Sequence, residues 1–208
     1  MLASAAEGSS SQDVAARGGY EPGKRSYQWL KLKRDYIDGM GDTFDLVPIG
    51  AYMGKGRRAG AYGAYLLGVY APEAGVYQPI CKLGSGLSDE ELARWSEQTS
   101  ADVISAEQAA ALIDLPHGAL PPAVAPHVWL RPQVVWEVSA AEVSVSPLYT
   151  AAFGAVDDER GLALRFPRFV RERPDKAPAQ ATTAEQLVSI FQSQPTKAAK
   201  ASRGRGSA

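Results

Sequence analysis

Two lysines, Lys31 and Lys33, alternate with Leu30 and Leu32 near the start of the chain. Successive side chains of an extended strand point to opposite faces, so both leucines share one face and both ammonium groups share the other, roughly 7 Å apart. Neighbouring cations repel each other, and an anion such as a phosphate between them would relieve that repulsion. The alternation therefore indicates either a phosphate-binding strand or the solvated face of a half-buried strand.

A second concentration of charge lies between Arg160 and Lys176, where six basic residues outnumber Glu172 and Asp175. This segment carries a net charge of +4, although the 208-residue chain as a whole carries -1. Contacts from such a segment to phosphates would give affinity for nucleic acid without sequence preference. Its residues Arg173, Asp175 and Lys176 form an R-x-D-K pattern. The planar guanidinium and the ammonium suit phosphate oxygens, and the alternative is a plain surface turn.

Phe166 lies within the same basic segment, between Arg165 and Arg168. A phenylalanine on a barrel strand usually points into the core. The alternative is an apolar wedge of the kind that other proteins insert into a DNA groove. The sequence alone leaves both interpretations open.

The segment 54–60 combines three glycines with Lys55, Arg57 and Arg58. It lacks the Lys-Ser or Lys-Thr that follows the last glycine of a phosphate-cradling P-loop, so it is not a Walker motif. It predicts either an ordinary hairpin loop with solvated charges or a flexible loop that faces DNA.

Other reactive residue types do not form a site in the sequence. Cys81 has no second cysteine or nearby histidine, and we predict that it is packed in the core. His117 and His127 lie in a proline-rich connection without carboxylates at metal spacing, so we predict no metal site. A run of about 18 apolar residues, which a membrane-spanning helix needs, is absent from the sequence, and the first six residues do not resemble a secretory signal.

The elements that must position these residues are mostly short strands. A hydroxyl at Ser88 followed by Glu91 predicts a capping box and a helix toward Gln98, and Thr182 with Glu185 predicts a second one. Pro48 predicts an edge strand or a bulge. Residues 100–132, with five prolines, predict mostly a long connection. The remaining predicted elements are strands over 28–36, 134–138, 143–146 and 162–170, a hairpin within 44–70, and one helical turn over 106–112.

Five or more short strands without an alternating strand and helix rhythm predict a mainly β fold, an antiparallel barrel of the oligonucleotide-binding (OB) type. Several segments then strongly resemble the eukaryotic replicative-type (type I) ATP-dependent DNA ligases in family order. They are W-L-K-L-K-R-D-Y over 29–36, G-R-R-A-G over 56–60, C-K-L-G-S-G-L-S-D-E-E-L over 81–92, V-W-E-V over 135–138, L-R-F-P-R-F-V-R over 164–171 and R-P-D-K over 173–176.

The resemblance implies how the chain is organised. It implies a five-stranded antiparallel OB barrel with one or two short helices, preceded by a single strand (motif V) from the nucleotidyltransferase, or adenylation, domain. The expected segments are a disordered tail over 1–20, the terminal strand and hinge over 21–36, the OB domain with motif VI over 37–194, and a basic disordered tail over 195–208.

The resemblance also implies roles for individual residues. The nucleotide-binding site would be formed by Lys31 and Lys33 of motif V and by Arg173, Asp175 and Lys176 of motif VI. The residues expected to face DNA are Arg57, Arg58, Arg165, Phe166 and Arg168. The implied cofactors are ATP, with AMP as covalent intermediate, and Mg2+ in the full enzyme. The implied partners are nicked double-stranded DNA and an adenylation domain, with no membrane. The implied protein is a monomer of a reducing, intracellular compartment, either the nucleus or, alternatively, an organelle.

The lysine nucleophile of these ligases lies in a K-x-D-G motif, and the 208 residues contain no such motif. We therefore expect the chain alone to be inactive and to work only with an adenylation domain. The alternative function is a free-standing OB module that binds DNA without catalysis. The retained Lys31, Lys33 and R-x-D-K pattern favour the ligase portion, because a plain binding module has no need of nucleotide-pocket residues.

Overall fold

A computed structural model describes residues 42–115 and 118–194. The predicted strand over 28–36, with Lys31 and Lys33, lies outside the described residues, as do His117 and the two predicted tails. The described residues form, in chain order, β1 (Asp42–Met53), β2 (Tyr62–Ala71), β3 (Val76–Leu83), α1 (Asp89–Ser100), β4 (Val103–Ile104), α2 (Ala106–Ala110), β5 (Val128–Leu130), β6 (Trp136–Ala140), β7 (Glu142–Ser146), β8 (Gly161–Arg165), β9 (Arg168–Glu172) and α3 (Ala184–Ser193).

Five of these strands close into a ring. The second half of β1 pairs antiparallel with β2, and its first half pairs antiparallel with β6. The sheet continues from β2 to β3 on one side and from β6 to β9 on the other. It closes where the N–H of Phe169 donates to the carbonyl of Ser85, just after β3, at 2.9 Å.

This strand order, β3-β2-β1-β6-β9, is that of an OB barrel with α1 inserted after its third strand, and the predicted mainly β, antiparallel fold is confirmed. The strand count of five describes the ring alone. In the described part of the chain, β4 and β5 extend the sheet beside β1, and β7 pairs with β8 in a separate hairpin.

An aromatic cluster fills the barrel and holds α1 against it. The ring of Trp136 on β6 lies 4.9 Å from that of Trp95 on α1, 5.0 Å from that of Tyr65 and 5.3 Å from that of Phe169. Leu92 and Trp95 are buried one turn apart, as an amphipathic helix requires. Truncating such a ring costs about 3–5 kcal/mol, so this cluster contributes strongly to holding α1 against the barrel.

Several sequence predictions are confirmed. Residues 44–70 form the β1–β2 hairpin, and the register shifts between Pro48 and Gly50, which confirms a bulge on a strand that is interior to the sheet. The hydroxyl of Ser88 accepts from the N–H of Glu91 at 3.1 Å, and the carboxylate of Glu91 accepts from the N–H of Ser88 at 2.8 Å. Cys81 is buried, which raises the pKa of its thiol.

The second predicted capping box is wrong by one residue. The box that opens α3 is formed by Thr183 and Gln186. Thr182 instead binds β1: its hydroxyl accepts from the N–H of Asp45 at 2.9 Å, and its own N–H donates to the carbonyl of Asp45 at 2.8 Å. Adjacent threonines both fit a cap signal, and only the tertiary contact distinguishes them.

Three other predictions differ from the structure. Residues 100–132 contain the predicted helical turn as α2, but also β4 and β5, two strands that are too short to leave a clear sequence period. Strand β3 is missing from the prediction, because Pro79 interrupts its apolar run. The predicted strand over 162–170 is two strands, since Phe166 takes a positive φ of 53° and Pro167 follows it between β8 and β9.

Candidate nucleic-acid interface

Six charged side chains gather on the outer faces of β1, β6 and β9 and on the turn that follows β9. Asp45 on β1 lies directly opposite Glu137 on β6, and Glu137 lies opposite Arg171 on β9. Phe44 and Leu46 point inward, so the period of two turns Asp45 outward. We call this group the motif VI cluster; its members are Asp45, Glu137, Arg171, Arg173, Asp175 and Lys176.

Arg173 is the centre of the motif VI cluster. Its Nε and Nη2 donate to the two carboxylate oxygens of Asp175 at 2.9 and 2.7 Å, and its Nη1 donates to Oδ1 of Asp45 at 2.9 Å. The other oxygen of Asp45 accepts from Nζ of Lys176 at 2.6 Å. Each oxygen of Asp45 is therefore bound to a different cation.

These ion pairs change the titration of the partners. The hydrogen bonds from Arg173 lower the pKa of Asp175 from 3.8 to about 2. The same pairing, with Asp45 adding to it, raises the pKa of Arg173 further above its ordinary value. Asp175 and Arg173 are therefore both ionised at neutral pH. The carboxylates of Asp45 and Glu137 face each other, and the neighbouring cations offset the repulsion between them.

Backbone hydrogen bonds fix the turn that carries the R-x-D-K residues. The N–H of Arg173 donates to the carbonyl of Val135 at 2.8 Å, and the N–H of Lys176 donates to the carbonyl of Arg173 at 3.1 Å. Beyond the turn, the hydroxyl of Thr182 accepts from the N–H of Asp45, and the N–H of Thr182 donates to the carbonyl of Asp45. The sequence pattern thus forms an anchored turn whose long cationic side chains lie over β1.

The five predicted DNA-facing residues form a second group, which we call the rim cluster: Arg57, Arg58, Arg165, Phe166 and Arg168. Nε of Arg57 lies 2.9 Å from Oδ2 of Asp89, and Nε of Arg58 lies 2.6 Å from Oδ1. Asp89 is the first residue of α1, where a carboxylate is favoured by the helix dipole. The aromatic packing of α1 therefore positions both loop arginines.

Phe166 lies at the surface of the protein, which excludes the core interpretation. Its side chain is 55% exposed, whereas Phe169 three residues later is buried against Trp136. The guanidinium of Arg165 lies 5.2 Å from the centre of the Phe166 ring. A positive φ is unfavourable for a residue with a Cβ, so the turn presents this ring outward at a cost in backbone strain.

The segment 85–89 connects the two halves of the rim cluster. Gly86 packs so closely on β9 that an added Cβ would lie 2.8 Å from Cγ of Arg168. Three residues later, Asp89 binds the arginines of the 54–60 loop. One short segment thus joins Arg57 and Arg58 to Arg168. Arg173 lies roughly 16 Å from Arg168, beyond the far end of β9.

The predicted basic segment is largely neutralised by carboxylates from elsewhere in the sequence. Asp45, Glu137, Glu142 and Asp157 each bind a cation of 160–176, so a segment charge of +4 and four partner charges of -1 leave a local sum of 0. Within the described residues, Arg168 is the member of this segment without a carboxylate within ion-pair distance. The interpretation of 160–176 as an uncompensated basic patch is therefore wrong.

A cleft of about 500 Å³ beside the 54–60 loop contains cations that the sequence analysis did not assign to the site. Among the described residues, its polar lining includes Lys55, Arg58, Lys82 and His127 and no carboxylate. The ammonium of Lys82 lies 4.0 Å from the centre of the Tyr52 ring. Lys82 alternates with buried Cys81 and Leu83 on β3, a signal that strand periodicity could have revealed.

His127 keeps the role of a loop residue in the structure. Its Nδ1 accepts from the N–H of Met53 at 2.8 Å, which ties the connection before β5 to the end of β1. Among residues 42–115 and 118–194, no group of His, Cys, Asp and Glu is arranged to hold a metal ion. None of the helices in these ranges is long and apolar enough to cross a membrane.

Comparisons with protein families and with curated proteins identify one family. Residues 58–176, more than half of the chain, match the family model described as the ATP dependent DNA ligase C terminal region. DNA ligase 1 of Dictyostelium discoideum is 47% identical over 84% of this chain and 14% of that protein. DNA ligase 1 of Schizosaccharomyces pombe is 47% identical over 89% of this chain and 23% of that protein. The chain therefore spans less than a quarter of the length of these relatives.

Among solved structures, the ligase domain from M. tuberculosis LigD is similar with a TM-score of 0.49 and 26% identity, over 79% of this chain and 44% of that chain. A mycobacterial DNA ligase D complexed with ATP and MES gives a TM-score of 0.48 and 26% identity, over 80% of this chain and 44% of that one.

Proposed function

The chain belongs to the ATP-dependent DNA ligase family, and we propose that it works as the C-terminal OB portion of an enzyme that seals nicks in duplex DNA. The proposed reaction proceeds through an enzyme-AMP intermediate and a DNA-adenylate. In this proposal an adenylation domain supplies the lysine nucleophile, and the barrel binds the DNA around the nick. The nucleus is the proposed location, because the matched relatives include DNA ligase 1 of eukaryotes.

The observation that carries the DNA-binding proposal is the solvent-exposed ring of Phe166. An apolar ring at a strained turn, with Arg165 and Arg168 beside it, suits insertion into the minor groove with phosphate contacts on either side. The cleft cations Lys55 and Lys82 would extend these contacts. Cations that meet phosphates select no base sequence, as an enzyme that acts at any nick requires.

The motif VI cluster supports the nucleotide part of the proposal. Arg173 and Lys176 are 17% and 32% exposed, so a polyphosphate can reach them, and their donors suit phosphate oxygens. ATP would supply the adenylyl group, and Lys31 and Lys33 would contact its phosphates from the strand before the barrel. We propose that Mg2+ is held by the rest of the full enzyme. A DNA-binding barrel without catalysis is disfavoured because it would need no such cluster.

A titration of fluorescently labelled nicked duplex with the 208-residue chain tests the DNA-binding proposal. We expect weak binding, equal for unrelated sequences, that weakens as salt rises. The combined change of Arg165, Phe166 and Arg168 to Ala should abolish most of this binding. Arg131→Ala, which removes an exposed arginine outside the rim cluster, is the matched control and should bind like the unchanged chain. Equal binding by the triple variant would exclude the rim cluster as the DNA surface.

A further inference from the structure

Asp45 forms ion pairs with Arg173 and Lys176, the two cations that the proposed function assigns to nucleotide phosphates. Its Oδ1 accepts from Arg173 at 2.9 Å and its Oδ2 accepts from Lys176 at 2.6 Å. We propose that Asp45 is an internal anion that competes with polyphosphate for Arg173 and Lys176 and so sets how tightly motif VI holds the phosphates of ATP or pyrophosphate. This inference rests on the proposed function of the motif VI cluster.

The charge balance of the cluster supports competition. Three carboxylates, those of Asp45, Glu137 and Asp175, face three cations, those of Arg171, Arg173 and Lys176. A neutral cluster has little attraction for a polyanion, so an incoming phosphate must replace a carboxylate at the cations it binds. Asp45 is the carboxylate that contacts both Arg173 and Lys176.

The position of Asp45 determines which partner has to move. Its N–H and carbonyl are both bound to Thr182, and its side chain is 15% exposed, so β1 holds the carboxylate in place. Arg173 and Lys176 have long side chains with several rotatable bonds. A polyphosphate would therefore take effect by drawing these two cations away from a fixed Asp45.

The same contacts separate the charge of Asp45 from its structural role. The bonds with Thr182 involve the backbone of Asp45, so Asp45→Asn keeps them while it removes the negative charge. Asp45 also lies opposite Glu137, and loss of one of two facing like charges removes a repulsion across the strands. We therefore expect Asp45→Asn to fold and to leave the cluster with a net charge of +1.

Isothermal titration of the 208-residue chain with inorganic tripolyphosphate at low salt tests the inference. We expect Asp45→Asn to bind tripolyphosphate about threefold to tenfold more tightly than the unchanged chain, because one ion-paired carboxylate no longer has to be displaced. Asp157→Asn is the matched control: it removes the same charge from the pair with Arg160, outside the cluster, and should bind like the unchanged chain.

The variant with both Arg173→Gln and Lys176→Gln separates the two levels of the proposal. If this variant binds tripolyphosphate as tightly as the unchanged chain, the nucleotide role of motif VI is wrong. If it loses binding while Asp45→Asn binds equally or more weakly than the unchanged chain, the role of motif VI stands and competition by Asp45 is wrong. Undetectable binding by both the unchanged chain and Asp45→Asn overturns both proposals.

A measurement on the unchanged chain covers the case in which Asp45→Asn fails to fold. The carboxyl carbon of Asp45 should shift in its NMR resonance during the tripolyphosphate titration, with the same midpoint as the calorimetric curve. The carboxyl of Asp157 should stay constant. A constant Asp45 resonance through saturation would show that its ion pairs survive binding, and the inference would be overturned.

Discussion

Asp45 and Glu137 lie directly opposite each other on β1 and β6, and both carboxylates bind cations that come from β9 and the turn after it. Facing like charges destabilise a sheet, so this arrangement depends on Arg171, Arg173 and Lys176. The outer face of three barrel strands is therefore charge-balanced, while the rim cluster presents an exposed ring at the other end of β9. Among the described residues, the four arginines of the rim cluster have two carboxylate partners, Asp89 and Glu142, so the two proposed binding surfaces differ in net charge.

The pairing of Arg173 with Asp175 predicts how stability responds to acid. The folded state lowers the pKa of Asp175 from 3.8 to about 2, so its contribution to stability is present above about pH 4 and is lost as the pH falls through 2. Arg173→Gln should return the pKa of Asp175 toward its ordinary value. Carboxyl NMR during an acid titration measures this directly.

Asp157 is an internal control in the same spectra. Hydrogen bonds from Arg160 lower its pKa, and Arg173 does not contact it, so its titration should be the same in both proteins. A pKa of Asp175 that stays near 2 in Arg173→Gln would show that another group stabilises its charge.

Phe166 and Phe169 should respond oppositely to truncation. Phe166→Ala removes an exposed ring and should change the free energy of unfolding by less than about 0.5 kcal/mol, whereas Phe169→Ala should lose about 3–5 kcal/mol. In a full-length ligase carrying this barrel, Phe166→Ala should slow nick sealing by roughly tenfold to a hundredfold, because the reacting ends are less well positioned. Thermal melts and a sealing assay measure the two effects.

The outcome that contradicts the wedge proposal is specific. Phe166→Ala would have to lower the melting temperature strongly while sealing at low temperature remained intact. Arg165→Ala is the companion variant. Loss of the arginine side chain should mainly weaken DNA binding at low salt.

Gly86 is a position where only glycine fits. It has a φ of 90°, and an added Cβ would lie 2.5 Å from the carbonyl oxygen and 2.7 Å from the nitrogen of Phe169. Gly86→Ala should therefore break the hydrogen bond that closes the barrel and lower the free energy of unfolding by roughly 2 kcal/mol or more. Urea denaturation measures this loss.

Gly75→Ala is the matched control for the backbone strain. Gly75 has a φ of 69° and no atom within 4 Å of an added Cβ, so its substitution should cost about 1 kcal/mol. Equal losses at the two positions would mean that the contact of Gly86 with β9 contributes nothing.

The sequence predicts the local features better than the contacts between distant elements. The Ser88 capping box, the β1–β2 hairpin and the bulge at Pro48 follow from neighbouring residues. The neutralisation of the basic segment does not, because Asp45 and Glu142 are far from their partners in the chain. The exposed position of Phe166 also depends on the turn that separates β8 from β9, and a strand pattern that continues across Pro167 conceals it.

The absence of K-x-D-G from the 208 residues leads to a prediction about catalysis. The chain expressed alone should form no covalent adenylate with labelled ATP, because no lysine occurs in the motif that attacks the α-phosphate. Gel analysis after incubation with ATP and Mg2+ measures the adduct. A stable AMP adduct on any lysine of this chain would contradict the prediction.

A chimera tests most directly whether this chain is the C-terminal portion of a nick-sealing ligase. The 185 matching residues of Schizosaccharomyces pombe DNA ligase 1 would be replaced by those of this chain, with the same relative lacking the region as control. The measurement is the sealing rate on a nicked duplex. We predict that the chimera restores sealing that the truncated control lacks. A chimera that folds and forms the enzyme-AMP adduct but seals no faster than the truncated control would contradict the proposed function.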